Sequence, residues 1–189
     1  MKKYELTAEF IEKWGKKLFR IKALIGFGSV EAGELGGYVE KEDNLAQNGN
    51  AWVFDDAEVY GNARVYGNAE VYGNARVCGN AEVYGNARVC GNAEVYGNAR
   101  VYDDADYLLI GRIGSRFSFT TFFKNKDKGI TVSCGCFLGT IAEFRAKVTD
   151  THGNNKHAKM YNLAADMAEL QILGEEHFDK LNTNKSEPF

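Results

Sequence analysis

Val53-Phe54-Asp55-Asp56-Ala57-Glu58-Val59-Tyr60-Gly61-Asn62-Ala63-Arg64 opens a run that continues without a gap to Asp106. The run is one six-residue unit repeated nine times. Each copy reads Val, then Tyr, Phe or Cys, then Gly or Asp, then Asn or Asp, then Ala, then Arg, Glu or Asp. A period of six fits neither an amphipathic helix nor a plain hairpin. It fits a parallel β-helix in which each hexad is a short strand followed by a corner. Val, β-branched, points inward at every strand, and Ala is small because it faces the crowded interior beside the corner. Gly and Asn supply the bend, since both tolerate positive φ.

The sixth position sets the number of hexads per coil. It alternates as Glu58, Arg64, Glu70, Arg76, Glu82, Arg88, Glu94, Arg100, Asp106. With three hexads per coil, residues eighteen apart stack at about 4.8 Å, the strand spacing. The columns are then Glu58-Arg76-Glu94, Arg64-Glu82-Arg100 and Glu70-Arg88-Asp106, and every column alternates in sign. Two or four hexads per coil would stack like charges, which is unfavourable. The alternation therefore predicts a triangular coil. The position after Val gives the columns Phe54-Tyr72-Cys90, Tyr60-Cys78-Tyr96 and Tyr66-Tyr84-Tyr102, which should form outward aromatic ladders.

This repeat resembles the hexapeptide-repeat, left-handed β-helix family, and the left hand is what the resemblance implies. That family consists largely of trimeric acyltransferases, with some zinc carbonic anhydrases, and carries a His near the helix surface. None of His152, His157 and His177 lies in the repeat here, and the repeat has no looped-out insertion. The resemblance therefore covers the scaffold.

Outward from the repeat, residues 1–44 read as an N-terminal β-hairpin and cap. Tyr4-Glu5-Leu6 and Leu18 to Leu24 alternate, and Trp14-Gly15-Lys16 turns between them. The hairpin should cover the open end of the coil, whose backbone groups would otherwise lack partners. The β-helix occupies 45–106. Residues 107–173 read as an α+β module of three strands (107–110, 117–123 and 130–134) and two helices, with Gly139 ending the sheet. Thr140 with Glu143 is a capping box for a helix to about Thr151, which Gly153 stops. A second helix runs from about Lys156 to Leu173 with Ala158, Tyr161, Ala165, Ala168 and Ile172 on one face. Residues 174–189 are polar and read as a flexible tail. The fold class is thus mainly β: a left-handed triangular parallel β-helix with an N-terminal hairpin cap and a C-terminal α+β module.

Gly36-Gly37-Tyr38-Val39-Glu40, Gly49-Asn50-Ala51-Trp52-Val53, Ile113-Gly114-Ser115-Arg116, Cys134-Gly135-Cys136-Phe137, Gly139-Thr140 and Thr151-His152-Gly153 together resemble small hexapeptide-repeat proteins encoded by phages and prophages. The likeness implies an architecture and a phage setting.

The net charge of −3 gives no drive toward nucleic acid or anionic membranes. No apolar run reaches transmembrane length, and Met1-Lys2-Lys3 precedes no secretory core, so a cytoplasmic location is expected, the host cytoplasm if phage-encoded. Cys78 and Cys90 fall in different columns, which suits a reducing compartment.

Cys134, Cys136, His152 and His157 approach a zinc-finger spacing. A helix from Thr140 would carry His152 about 18 Å along its axis, too far for convergence on one ion. The expectation is no metal, a reduced Cys-Gly-Cys turn and a helix-end His. The same separation disfavours a Cys–His nucleophile pair. The unique polar cluster of the chain is Arg112, Ser115, Arg116, Thr120, Thr121 and Lys124, with His152 and the Cys turn as outliers. Two guanidiniums, a hydroxyl and flexible backbone can cradle a phosphate or carboxylate; the plainer reading is a hairpin turn with solvated Arg. The tyrosine columns could stack on bases or sugars, or serve as subunit interface.

These residues lead to a non-catalytic binding protein without a cofactor. It would inhibit a host defence by sequestering a protein or a small anionic or nucleotide signal, with the β-helix as oligomerising scaffold. A homo-oligomer is expected, a trimer ahead of a dimer through the C-terminal module. The alternatives are a purely structural self-associating module and an acyltransferase-like enzyme.

Overall fold

A computed structural model describes residues 1–177. The chain divides into two compact units, Met1–Asp104 and Ala105–Phe189. No helix among the described residues is long and apolar enough to cross a membrane.

The first unit opens with strands β1 (Tyr4–Lys13), β2 (Lys16–Ala23) and β3 (Leu35–Val39). Nine two-residue strands follow at a spacing of six, from β4 (Trp52–Val53) and β5 (Glu58–Val59) to β12 (Arg100–Val101). They form a parallel β-solenoid. Its ladders join residues eighteen apart: β5 with β8 (Arg76–Val77) and β11 (Glu94–Val95), β4 with β7 (Glu70–Val71) and β10 (Arg88–Val89), and β6 (Arg64–Val65) with β9 (Glu82–Val83) and β12. Amide groups of each coil donate to carbonyls of the next, as Arg64 N does to Ala81 O at 2.9 Å. Each Val from Val53 to Val101 and each Ala from Ala57 to Ala99 is fully buried.

Glycine takes the positive φ at the corners from Gly61 to Gly97, near +70°, and Asp55 takes it at +52° in the first hexad. The neighbouring Asn has a different task. Asn50 Nδ2 donates to Asn68 Oδ1 at 3.2 Å, Asn68 Nδ2 to Asn86 Oδ1 at 3.1 Å, and Asn62 Nδ2 to Asn80 Oδ1 at 3.2 Å. These amide ladders repeat the coil-to-coil bonding in side chains.

The charge columns hold in register through Glu58, Arg76 and Glu94 and through Arg64, Glu82 and Arg100. Arg76 pairs with Glu94, and Arg100 with Glu82. The third column is corrected at its end. Arg88 pairs with Asp104, Nη2 to Oδ2 at 3.0 Å, rather than with Asp106, which pairs with Lys124 at 2.8 Å. The ninth hexad departs from the coil because Asp104–Asp106 form a 3-10 turn, which leaves Ala105 exposed. Arg76→Glu would put three carboxylates in one column, and a stability loss on the order of 1 kcal/mol is expected. The loss should shrink with salt. Chemical denaturation at low and high salt checks this, and an unchanged midpoint at low salt contradicts the stacking.

Outward side chains form the expected columns. Tyr66 and Tyr84 stack at 5.0 Å and 11°, and Tyr84 meets Tyr102 edge-on at 5.3 Å. Trp14, at the hairpin tip, stacks on Tyr60 at 5.1 Å. The hairpin is continuous with the solenoid, since β3 pairs antiparallel with β2 and parallel with β5. It also satisfies the first coil. The Tyr4 hydroxyl donates to Leu45 O at 2.7 Å, and the buried Lys3 ammonium donates to Ala51 O at 2.8 Å. Burial pulls Lys3 down to about 8.

The second unit is a four-stranded antiparallel sheet under two helices. Its strands are β13 (Tyr107–Ile113), β14 (Ser118–Lys124), β15 (Ile130–Cys134) and β16 (Phe137–Thr140), in that order. Three strands were expected. Gly139 does not end the sheet but lies in β16 opposite Val132. Gly135, at φ +60°, and Cys136 form a two-residue hairpin turn that sends the chain back for a fourth strand. Helix α1 (Ile141–His152) starts on the Thr140–Glu143 capping box, and Gly153 caps its end. Helix α2 (Lys156–Leu173) starts on Asn155, whose side chain accepts from His157 N and Ala158 N. Ala158, Tyr161, Ala165, Ala168 and Ile172 join Phe122, Val132, Phe144 and Val148 in one core. Arg145 clamps the helices, with Nη2 2.7 Å from both Asp166 and Glu169. Residues 175–177 are helical, and the tail from 178 lies outside the described residues.

Candidate anion site in the second unit

Three turns of chain converge at one end of the helix-covered face. The first is the β13–β14 turn, residues 114–117, which exposes Ser115 and Arg116. The second is the Gly135-Cys136 turn. The third is the last turns of α1, where Phe144, Lys147, Val148, Thr151 and His152 recur at helical spacing on one side. Together with Ser118, Cys134, Phe137 and Tyr161 they line a cavity of about 390 Å³, a small ligand-pocket volume.

His152 therefore lies on the same cavity as Cys134 and Cys136, against the expected separation. The helix does advance about 18 Å over twelve residues. The unexpected strand β16 first carries the chain about 10 Å away from the cysteine turn. Helix α1 then runs back, so its C-terminal end returns to the level of that turn. His157 does not line the cavity; its ring lies 5.8 Å from that of His152. Among the described residues no group of three His, Cys, Asp or Glu side chains is placed to hold a metal ion.

Of the expected cluster, the cavity gathers Ser115, Arg116 and His152. Thr120 lies beneath it, buried, with Oγ1 donating to Cys134 Sγ at 3.2 Å. Thr121 is buried on the other face of the sheet, as strand alternation requires. Lys124 is at the far end of β14 and engages Asp106. Arg112 is exposed and does not line the cavity.

Sequence pattern does not mark Tyr161, Lys147 and Phe144 as site residues. Tyr161 belongs to the apolar face of α2, yet its hydroxyl reaches the cavity. Burial, then the hydrogen-bonded Cys134 sulfur, push its phenol up to about 12, against the nearby Arg116. Its ring stacks on His152 at 5.7 Å and meets Phe144 edge-on at 5.6 Å. The sign of the site is uniform: Arg116 and Lys147 carry positive charge, His152 lies beside them, and no carboxylate lines it among the described residues. Lys147 also reaches Asp150 at 3.2 Å, but both side chains are exposed and such a pair is weak. A wider groove of about 550 Å³ in the first unit differs, because Glu42 and Asp43 sit among Lys41 and Arg64.

A family model described as the YdcK beta solenoid repeat matches residues 57–73 and 75–91. The two stretches begin at 57 and 75, eighteen residues apart, which is the coil period found in the ladders. The match lies within the solenoid and does not reach the second unit. Comparison with curated proteins gives no match.

Proposed function

We propose that the chain is a non-catalytic binding protein whose second unit captures a small anionic ligand, a nucleotide signal being the leading class. The observation that carries this reading is the cavity with Arg116, Lys147 and His152 on its wall and no carboxylate among its described lining residues. Two fixed cations over an aromatic floor of Phe137, Phe144 and Tyr161 suit a phosphate joined to a planar ring. The solenoid, nearly uniform along its length, is the scaffold. We take it to be triangular, as the sign alternation indicates, and left-handed, as the hexapeptide resemblance implies; copies joined in one oligomer would raise avidity. The resemblance to phage and prophage proteins supports a place in the cytoplasm of an infected cell, where sequestering such a signal would blunt a host defence.

A thermal-shift screen of nucleoside monophosphates, diphosphates, cyclic nucleotides and acyl-CoA tests the reading. Stabilisation by a phosphorylated nucleoside, lost in Arg116→Ala, is the expected result. A response to acyl-CoA alone, unaffected by Arg116→Ala, contradicts it and favours the acyltransferase-like alternative.

A further inference from the structure

Helix α2 has a second apolar face that the described residues of its own unit do not cover. Met160, Leu163, Met167 and Leu170 are 39%, 63%, 57% and 45% exposed. Their steps of three, four and three residues hold them in a stripe about 80° wide. The stripe lies roughly opposite the buried face that carries Ala158, Tyr161, Ala165 and Ala168. This is the a/d seam of a coiled coil. Four large apolar side chains in one exposed line mark an interaction surface more often than a solvated one.

We propose that the stripe is a self-association surface on which a second copy of this chain packs its α2 antiparallel, about a two-fold axis between Leu163 and Met167. In that register Met160 meets the partner's Leu170, and Leu163 meets the partner's Met167. Every layer joins one Met to one Leu, so the layers match in volume and the seam is self-complementary, as a two-fold interface must be. The flanking charges select the direction. Antiparallel packing sets Lys159 beside the partner's Asp166, and symmetry makes the pair twice. Parallel packing would set Lys159 against Ala164 and Asp166 against Gln171, with no charge complement. Arg145 already holds the Asp166 carboxylate at 2.7 Å, which fixes it on the flank of the stripe. Four side chains make a contact smaller than the about 800 Å² per partner of a standard interface. The dimer is therefore dissociable, with a Kd in the micromolar range. Met side chains suit such a reversible contact.

Sedimentation velocity of the full chain, from about 1 to 200 µM, is the test. A concentration-dependent monomer–dimer equilibrium is expected. Leu163→Glu combined with Met167→Glu should raise Kd at least about 100-fold. Both side chains are exposed, so the thermal midpoint should stay near native. Lys159→Glu should weaken the dimer several-fold at low salt and little at high salt. A chain that stays monomeric at about 200 µM overturns the proposal. So does an assembly that neither variant weakens, which would place self-association elsewhere, or a dimer that Lys159→Glu tightens.

Discussion

Val77→Asp is expected to abolish folding of the first unit. Val77 is fully buried and sits in register between Val59 and Val95 at the middle of one ladder. Removing the valine forfeits about 1.5–3 kcal/mol of burial. The carboxylate then lies in an interior lined by Val and Ala with nothing to pair it, at a cost of several kcal/mol more. The sum approaches the about 5–15 kcal/mol that holds a typical domain together. Stacked coils cannot compensate at a distance, because each contacts only its neighbours. Circular dichroism and size-exclusion elution of the variant should show loss of the solenoid. Tyr102→Asp, at an outward position and 53% exposed, should fold as the native chain does. A cooperative transition at the native midpoint for Val77→Asp would mean that the valines do not point inward.

Gly114→Ala is expected to destabilise the second unit by more than about 3 kcal/mol, and to close the cavity. A Cβ at Gly114 would stand 1.9 Å from the Tyr161 hydroxyl oxygen. The ring cannot swing aside, since His152 stacks on it and Phe144 meets its edge. Gly114 also holds φ +74°, which costs a residue with a Cβ about 1–2 kcal/mol. Gly97→Ala separates the two contributions. Gly97 has φ +70° and nothing within 4 Å of its Cβ position, so its loss should stay near the strain alone. Urea denaturation of both variants gives the difference. Equal losses would show that Tyr161 does not press on the β13–β14 turn.

The solenoid was legible because its signal is periodic and physical at once. Val at every sixth place dictates what is buried, and the sign alternation dictates which coils touch. A chain obeying both has one way to stack. In the ninth hexad a 3-10 turn at Asp104–Asp106 replaces the corner that Asp55-Asp56 still forms in the first, and the column through Asp106 fails with it. The task of Asn was hidden for a different reason. The sequence marks Asn for its backbone tolerance, and only stacked coils reveal that its amides meet.

In the second unit the helices were legible to within a residue, because capping chemistry at Thr140, Glu143 and Gly153 is local. The fourth strand was not. Phe137-Leu138-Gly139-Thr140 is short and contains a glycine, and its partner β15 is reached only through a two-residue turn. That single strand decided the site. Without it, α1 appeared to carry His152 away from Cys134 and Cys136; with it, the helix returns. Ser115, Arg116 and His152 could be named from sequence as unusual polar groups. Lys147 and Tyr161 could not, since one reads as a solvated helix charge and the other as core. Arg112 and Thr121 diverge from the cavity because alternate strand residues face opposite ways, and Lys124 because it lies at the far end of β14.

The claim that the second unit binds and the solenoid supports is tested most directly by titrating ADP, as a probe, into three proteins by calorimetry: the native chain, Arg116→Ala and Tyr84→Ala. Saturable binding by the native chain is expected, weakened at least about 10-fold in Arg116→Ala by loss of a charge-assisted contact. Tyr84→Ala removes the centre of the Tyr66–Tyr84–Tyr102 stack and should bind as the native chain does. Binding that survives Arg116→Ala and disappears in Tyr84→Ala would place the function on the solenoid face and contradict the account.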